Sequence, residues 1–262
     1  MRDSSVRSLQ DLAPHTAKVD APARPSVLVV SHERSGTHFL MNAIVAAYGY
    51  PRGPFLNFDQ PQLNINYFDP PAVAAVLEKV GSHATPSVIK SHHAVDFFDG
   101  VLDDVLKHVA VFYIHRDPVD VMISFWRLVA ACSWHEGPRR PTALEFAAAE
   151  PEGMMMRYQQ KQTRSLLHRW ANHVDGWTEV AKTRGGRLKV VRYDALSSAY
   201  ERTVVGFDAL LGQRTGSLVP PRRELNVVTG VSADALPAPD YAAIRELALA
   251  EVGDTMRRHG YA

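Results

Sequence analysis

The sequence predicts a single α/β domain in which a central parallel sheet is flanked by helices. Three observations carry that expectation. Short apolar runs without polar alternation, such as Ser26–Val30 and Val109–Ile114, suit strands buried on both faces. Helical segments lie between these runs at the spacing of βα units. At 262 residues, 46% hydrophobic and 22% charged, the chain is large enough for one sizeable core, and its composition excludes disordered, collagen-like and membrane-bundle proteins.

In order, residues 1–25 are Ser-, Ala-, Arg- and Pro-containing without periodicity and read as a flexible arm, so the domain is expected over 26–262. Ser26–Val30 is the first strand. Thr37–Tyr48 is a helix that Gly49 and Pro51 end. Phe55, Phe58, Tyr67 and Phe68 sit among Asn, Gln and Pro between 52 and 71, which reads as a long ordered loop. Val73–Val80 follows as a helix, Ser87–Lys90 as the second strand, Val109–Ile114 as the third and Pro118–Ala131 as a helix. The proline-punctuated stretch 133–153 is a candidate lid, ahead of a long helix over Met154–Lys182 and a fourth strand at Leu188–Arg192. There is no internal repeat.

Charge narrows the function. Lys plus Arg is 29 against 28 for Asp plus Glu, so neither a nucleic-acid coat nor an anionic-lipid binder is expected, and any anion must be held locally. Cys132 is the only cysteine; it excludes an internal disulfide and Cys-cluster metal sites and fits a reducing, cytoplasmic compartment. No apolar run approaches the roughly 18 residues of a spanning helix, and neither a signal peptide nor a membrane anchor is visible.

In open parallel sheets ligands bind beyond the carboxyl ends of the strands, and three of those exits carry unusual residues. After the first strand comes Ser31-His32-Glu33-Arg34-Ser35-Gly36-Thr37-His38, a strand-to-helix turn whose unpaired N–H groups, hydroxyls and guanidinium suit an anion. The bland reading is a connection in which Thr37 caps its own helix. A nucleoside-triphosphate P-loop needs a first Gly at position 31 and a Lys after Gly36, and has neither here. After the third strand, Asp117 is placed to cap a helix opening at Pro118, while Arg116 needs an anion or a carboxylate, Asp117 or Asp120, to answer it. Ser124, eight residues on, either donates to that anion or bonds back to the carbonyl of Asp120. At the end of the second strand, Lys90 and His92 supply a cation and a proton acceptor. His93 points to the opposite face and no carboxylate set surrounds the pair, so no metal is expected. By itself the pair also reads as surface histidines without a role.

Together these segments resemble the cytosolic-type sulfotransferases that use 3'-phosphoadenosine 5'-phosphosulfate (PAPS). Ser31–Leu40 resembles the family's 5'-phosphosulfate loop, Y-P-K-S-G-T-T-W-L, and Lys90-Ser91-His92 its K-T-H element. Tyr113–Val121 with Ser124 resembles the 3'-phosphate motif Y-x-x-R-x-P-x-D-V-x-x-S. Trp170, His173-Val174 and Val191–Leu196 resemble its W-x-x-H-V and Y-E-D-L stretches, and Tyr241–Tyr261 its final helix. The resemblance covers about residues 26 to 200 and implies a P-loop-like phosphosulfate loop that needs no metal. It further implies transfer of a sulfuryl group from PAPS to an acceptor hydroxyl or amine, releasing adenosine 3',5'-bisphosphate (PAP).

Residue by residue, the resemblance puts Arg34, Ser35, Gly36, Thr37 and His38 on the 5'-phosphosulfate, and Arg116 and Ser124 on the 3'-phosphate. Phe39 and Tyr193 would flank the adenine. His92 would be the base and Lys90 would steady the sulfuryl oxygens. Two departures stand out. Arg34 replaces the family's loop lysine and offers charge without a transferable proton, which leaves His38 as a candidate for handling the leaving group. The C-terminal R-K-G-x-x-G segment is not present in clean form, and Arg222 and Arg223 are the expected substitutes. The acceptor is expected to be a small molecule, sugar or lipid, walled by the loop 52–71 and by 133–160 with Trp134, Arg139, Arg140 and Met154–Met156; no nucleic acid is expected, and an oligomer is compatible with the sequence. The competing readings are a P-loop-type phosphotransferase preferring ATP and Mg²⁺, and a silent nucleotide-binding module.

Overall fold

The computed structural model describes residues 24–56, 69–222 and 236–262. Its centre is a five-stranded, all-parallel sheet in the order β2-β3-β1-β4-β5, formed by Ser26–Val30 (β1), Arg52–Phe55 (β2), Val88–Ser91 (β3), Val109–His115 (β4) and Leu188–Arg192 (β5). Strands β1 and β4 are buried along their whole length, as their unbroken apolar runs require. Because side chains alternate across a strand, Val27 and Val29 enter one core and Leu28 and Val30 the other. The first core packs under helix α1 (Thr37–Tyr48); the second packs under α4 (Pro118–Ala131) and α6 (Leu166–Thr183), where Phe125, Trp126, Trp170 and Trp177 are fully buried.

The register decides the site. Val30 lies beside Ser91 on one neighbour and Tyr113 on the other, and His115 lies beside Arg192. The chain therefore leaves β1, β3, β4 and β5 at one edge of the sheet, which brings Ser31, His92, Arg116 and Tyr193 into one region from four distant sequence positions.

Several expectations are corrected. The stretch 52–71 is not all loop: Arg52–Phe55 forms an edge strand beside β3, where a proline is tolerated because only one side of the strand is paired. Phe58, Tyr67 and Phe68 lie outside the described residues. Helix α2 begins at Pro70 and runs to Gly81, and α3 (Leu102–His108) precedes β4. The long helix expected over Met154–Lys182 is broken into a 3₁₀ segment, Gly153–Tyr158, an irregular 159–165, and α6, which starts only where Ser165 accepts a bond from the His168 N–H at 3.2 Å. The middle of the candidate lid is helix α5 (Ala143–Ala148), whose Phe146 and Ala147 are built into the core against Phe125. The terminal helix covers Tyr241–Arg258, with a break in helical geometry at Val252, and ends before Tyr261. Of the arm, only Arg24 and Pro25 are described, and both are tied down: Arg24 to the Tyr48 carbonyl and Pro25 by the Tyr50 hydroxyl at 2.8 Å. Among the described residues no helix is long and apolar enough to cross a membrane.

Candidate active site

The turn between β1 and α1 is strained. Its closure, Ser35 N–H to the His32 carbonyl at 3.2 Å, leaves Arg34 at φ 66, in the left-handed region a side chain rarely adopts. Gly36, at φ 103, precedes α1, and no side chain caps the helix. Thr37 does not cap either, since its hydroxyl pairs with Ser31 Oγ at 2.6 Å. The Ser35 hydroxyl is buried with no hydrogen-bond partner among the described residues. An uncapped helix start beside an unsatisfied buried hydroxyl fits an anion. Gly36 has a second reason to be glycine: a Cβ there would stand 2.4 Å from Tyr193 Cδ2.

Positive charge gathers around this turn. Burial lowers the Arg34 pKa, and Arg116 lowers it further. Burial pushes Lys90 down to about 8, with Arg34 adding to the effect. His38 falls to about 4, chiefly through burial and then through Lys90, Arg52 and Arg34, so it is neutral near pH 7. His38, the candidate the sequence offered for handling the leaving group, is thus held in its neutral form by burial and by these neighbours. Like charges at such proximity raise one another's energy, and a polyanion relieves all of them at once.

His92 and His93 are both buried, which overturns the surface-pair reading. The His92 Nδ1–H donates to the Ser31 carbonyl at 2.9 Å, so Nε2 is the acceptor nitrogen of the neutral ring. Burial, reinforced by Lys90, holds its pKa well below the usual histidine range. His93 turns the other way, against Phe97 at 4.1 Å between ring centroids, and is core.

On the β4 side, Asp117 caps α4 by accepting from the Val119 N–H at 2.8 Å, as the sequence indicates. Asp120 is the carboxylate that answers Arg116, at 2.8 and 3.2 Å. Ser124 does not bond back to Asp120; its Oγ accepts from Arg34 Nε at 2.9 Å, which links the turn after β1 to α4. Arg116 lies 4.6 Å from the Tyr193 ring centre. Tyr193 meets Phe39 edge-on, and Phe39 stacks on Tyr200 at 5.9 Å, so a third aromatic joins the two expected for adenine. Arg222 is exposed at the edge of the described chain, and Arg223 lies outside it.

Three side chains of α6 brace the strand exits. Trp170 Nε1–H bonds the Arg116 carbonyl at 3.1 Å, His173 Nε2 the His92 carbonyl at 3.2 Å, and Trp177 Nε1–H the His93 carbonyl at 3.0 Å. Sequence reasoning missed Arg169, which grips Glu33 of the turn, and the buried pair Arg157–Glu136 at 3.2 Å. It also missed Tyr200 and Arg52. A surface cleft of about 1120 Å³ between α6, β5 and the C-terminal turn contains Asp175, Lys189 and His259 but none of the loop cations; charge and exits, not concavity, locate this site.

The arrangement offers cations and backbone N–H groups for an anion beside the neutral imidazole of His92, the equipment for in-line group transfer. Among solved structures the fold is similar to a mouse sulfotransferase complexed with PAP, at 15% identity and a TM-score of 0.55 over 92% of this chain and 89% of that one. It is also similar to a retinol dehydratase in a complex with retinol and PAP, at 15% identity and a TM-score of 0.53 over 91% of this chain and 83% of that one. No curated protein matches the sequence. The family model described as the sulfotransferase domain matches residues 24–212, and with most of the chain so matched, this protein belongs to the sulfotransferase family.

Proposed function

We propose that this sulfotransferase takes its sulfuryl group from PAPS and passes it to the hydroxyl of a small-molecule acceptor, with the turn 34–38, Lys90 and His92 as the reacting site. The observation that carries the assignment is the buried Ser35 hydroxyl, unpartnered among the described residues, in a turn whose Arg34 is repelled by Arg116 and Lys90. When bound, PAPS supplies a sulfuryl group carried on a phosphate leaving group. His92 Nε2 takes the acceptor's proton while the acceptor oxygen bonds to sulfur and the S–O bond to the 5'-phosphate breaks. Lys90 and Arg34 stabilise the oxygens that gain charge; Arg34 does so without giving up a proton. Arg116 and Ser124 hold the 3'-phosphate, and Phe39 and Tyr193, with Tyr200 behind them, hold the adenine. Arg222 and Arg223 remain the proposed C-terminal contribution.

The acceptor side is assigned to the strip 133–160. There Trp134 is exposed and anchored by its Nε1–H to Glu136 at 2.7 Å, while Met155 belongs to the core. The single cysteine suits a cytoplasmic setting. The test is transfer of isotope-labelled sulfuryl from PAPS to a panel of phenols, sugars and lipid alcohols, with His92→Ala beside the unaltered protein. Labelled product with PAP release supports the reading. PAP binding without turnover on any acceptor would leave the silent module, and dependence on ATP and Mg²⁺ would leave the phosphotransferase.

A further inference from the structure

The anion-binding turn carries a cost that something must offset. Arg34 sits at φ 66 in the middle of it, a conformation that persists only where its surroundings over-determine it. The two residues before Arg34 are gripped by one guanidinium from α6. Arg169 Nη1 donates to Glu33 Oε2 at 2.6 Å and its Nη2 to Glu33 Oε1 at 2.9 Å. Nη1 also donates to His32 Nε2 at 2.8 Å, and Nε donates to Gln159 Oε1. The His32 Nδ1–H in turn donates to the Glu33 carbonyl at 3.0 Å, which fixes its neutral tautomer. Both charged side chains are almost completely buried, 3% and 4% exposed.

A buried ion pair is poor evidence for stability, because desolvation cancels much of its attraction, whereas a defined geometry is what a two-bond fork supplies. The pair therefore needs a reason beyond stability, and the turn it fixes is the one that aims Arg34 at Ser124 and presents the uncapped N–H groups at the start of α1. We propose that Arg169 is a positioning residue: through its fork on Glu33 and its bond to His32 it holds the phosphosulfate turn in the strained shape that binds the 5'-end of the nucleotide, without touching the nucleotide. This rests on the nucleotide reading above.

The experiment compares two ligands that differ only at the 5'-end. Dissociation constants for PAP and for adenosine 3'-phosphate are measured by calorimetry on the unaltered protein, on Arg169→Lys, which keeps the charge and loses the fork, and on Glu33→Gln, which keeps the shape and loses the charge. The unaltered protein should bind PAP the more tightly; equal affinities there would remove the 5'-end assignment itself. Given that preference, each variant should lose PAP affinity by on the order of 10²-fold, the usual cost of a misplaced contact group, and keep its affinity for adenosine 3'-phosphate within about twofold. Equal losses for both ligands would show a general structural role, and an unchanged PAP constant would show that the turn holds its shape unaided; either result overturns the proposal. Two variants of opposite kind keep the test open if one of them does not fold.

Discussion

His92 and His93 illustrate how far one residue of register matters. His92→Ala should lower turnover by on the order of 10² to 10⁴ while PAP affinity stays near that of the unaltered protein, because the nucleotide is held by other loops. His93→Ala should instead lower stability by about 2 kcal/mol, since its ring fills space against Phe97, Phe98 and Tyr158, and should leave the rate per folded molecule little changed. Chemical denaturation together with steady-state rates separates the two effects. Arg116 provides a second residue test. Saturating PAP, at about 100 times its dissociation constant, should stabilise the protein by roughly 2.7 kcal/mol, and 5'-AMP at the same concentration by much less. Arg116→Ala should erase that difference in a thermal-shift measurement. Gly36→Ala should abolish nucleotide binding or folding, because the added methyl meets the Tyr193 ring and the backbone there is at φ 103.

At the scale of elements, the misread helix has a local cause. Met154–Tyr158 has the apolar content of a helix, and nothing in its composition announces a break. Gln159, however, gives its side chain to Arg169 and to the Lys161 carbonyl, and Thr163 bonds the Ser165 carbonyl, so the segment is shaped by side-chain demands that lie elsewhere. The restart depends on Ser165. Ser165→Ala should cost about 1 kcal/mol in urea denaturation, the usual worth of an N-cap, and an unchanged midpoint would mean that tertiary packing alone starts α6. The β4 exit behaves differently, since Asp117, Pro118 and the apolar run behind them agree with one another at every level. The reading of α4 from sequence therefore matches its structure.

Across the whole molecule, buried histidines set the acid limit. Burial is the leading cause in each case: it takes His93, His115 and His173 down to about 3 and His38 to about 4, and pushes His32 and His92 in the same direction. Each is neutral in the folded protein where it would be protonated in the unfolded chain, so the unfolded state binds more protons as pH falls below about 6.5. Stability should therefore be level above pH 7 and fall from about 6.5 toward the folded values of 3 to 4, by up to roughly 1.4 kcal/mol per pH unit for each histidine. Six such groups acting together should unfold the protein well before its carboxylates titrate. Denaturation midpoints between pH 7.5 and 4.5 check this, and a flat profile would show that these rings are hydrated in solution. Nucleotide should oppose the loss, since it binds the folded state and not the unfolded chain.

The strands of the sheet core, the first helix and α4 were legible in the amino-acid sequence because each is written in consecutive residues: an unbroken apolar run, a capping Asp before Pro118, a Gly after Tyr48. The candidates Arg34, Lys90, His92 and Arg116 were legible for a related reason, since each lies at or just after a strand end and a parallel sheet sends its strand ends to one edge, whereas Tyr193 was legible only through the family resemblance. Strand β2 was not, because Arg-Gly-Pro-Phe has little strand propensity and pairs only through its neighbour β3. Neither was the grip of Arg169 on Glu33, 136 residues apart. That contact depends on where α6 crosses the first turn, and local sequence carries periodicity and caps but not the distance between two elements that only the packed core brings together.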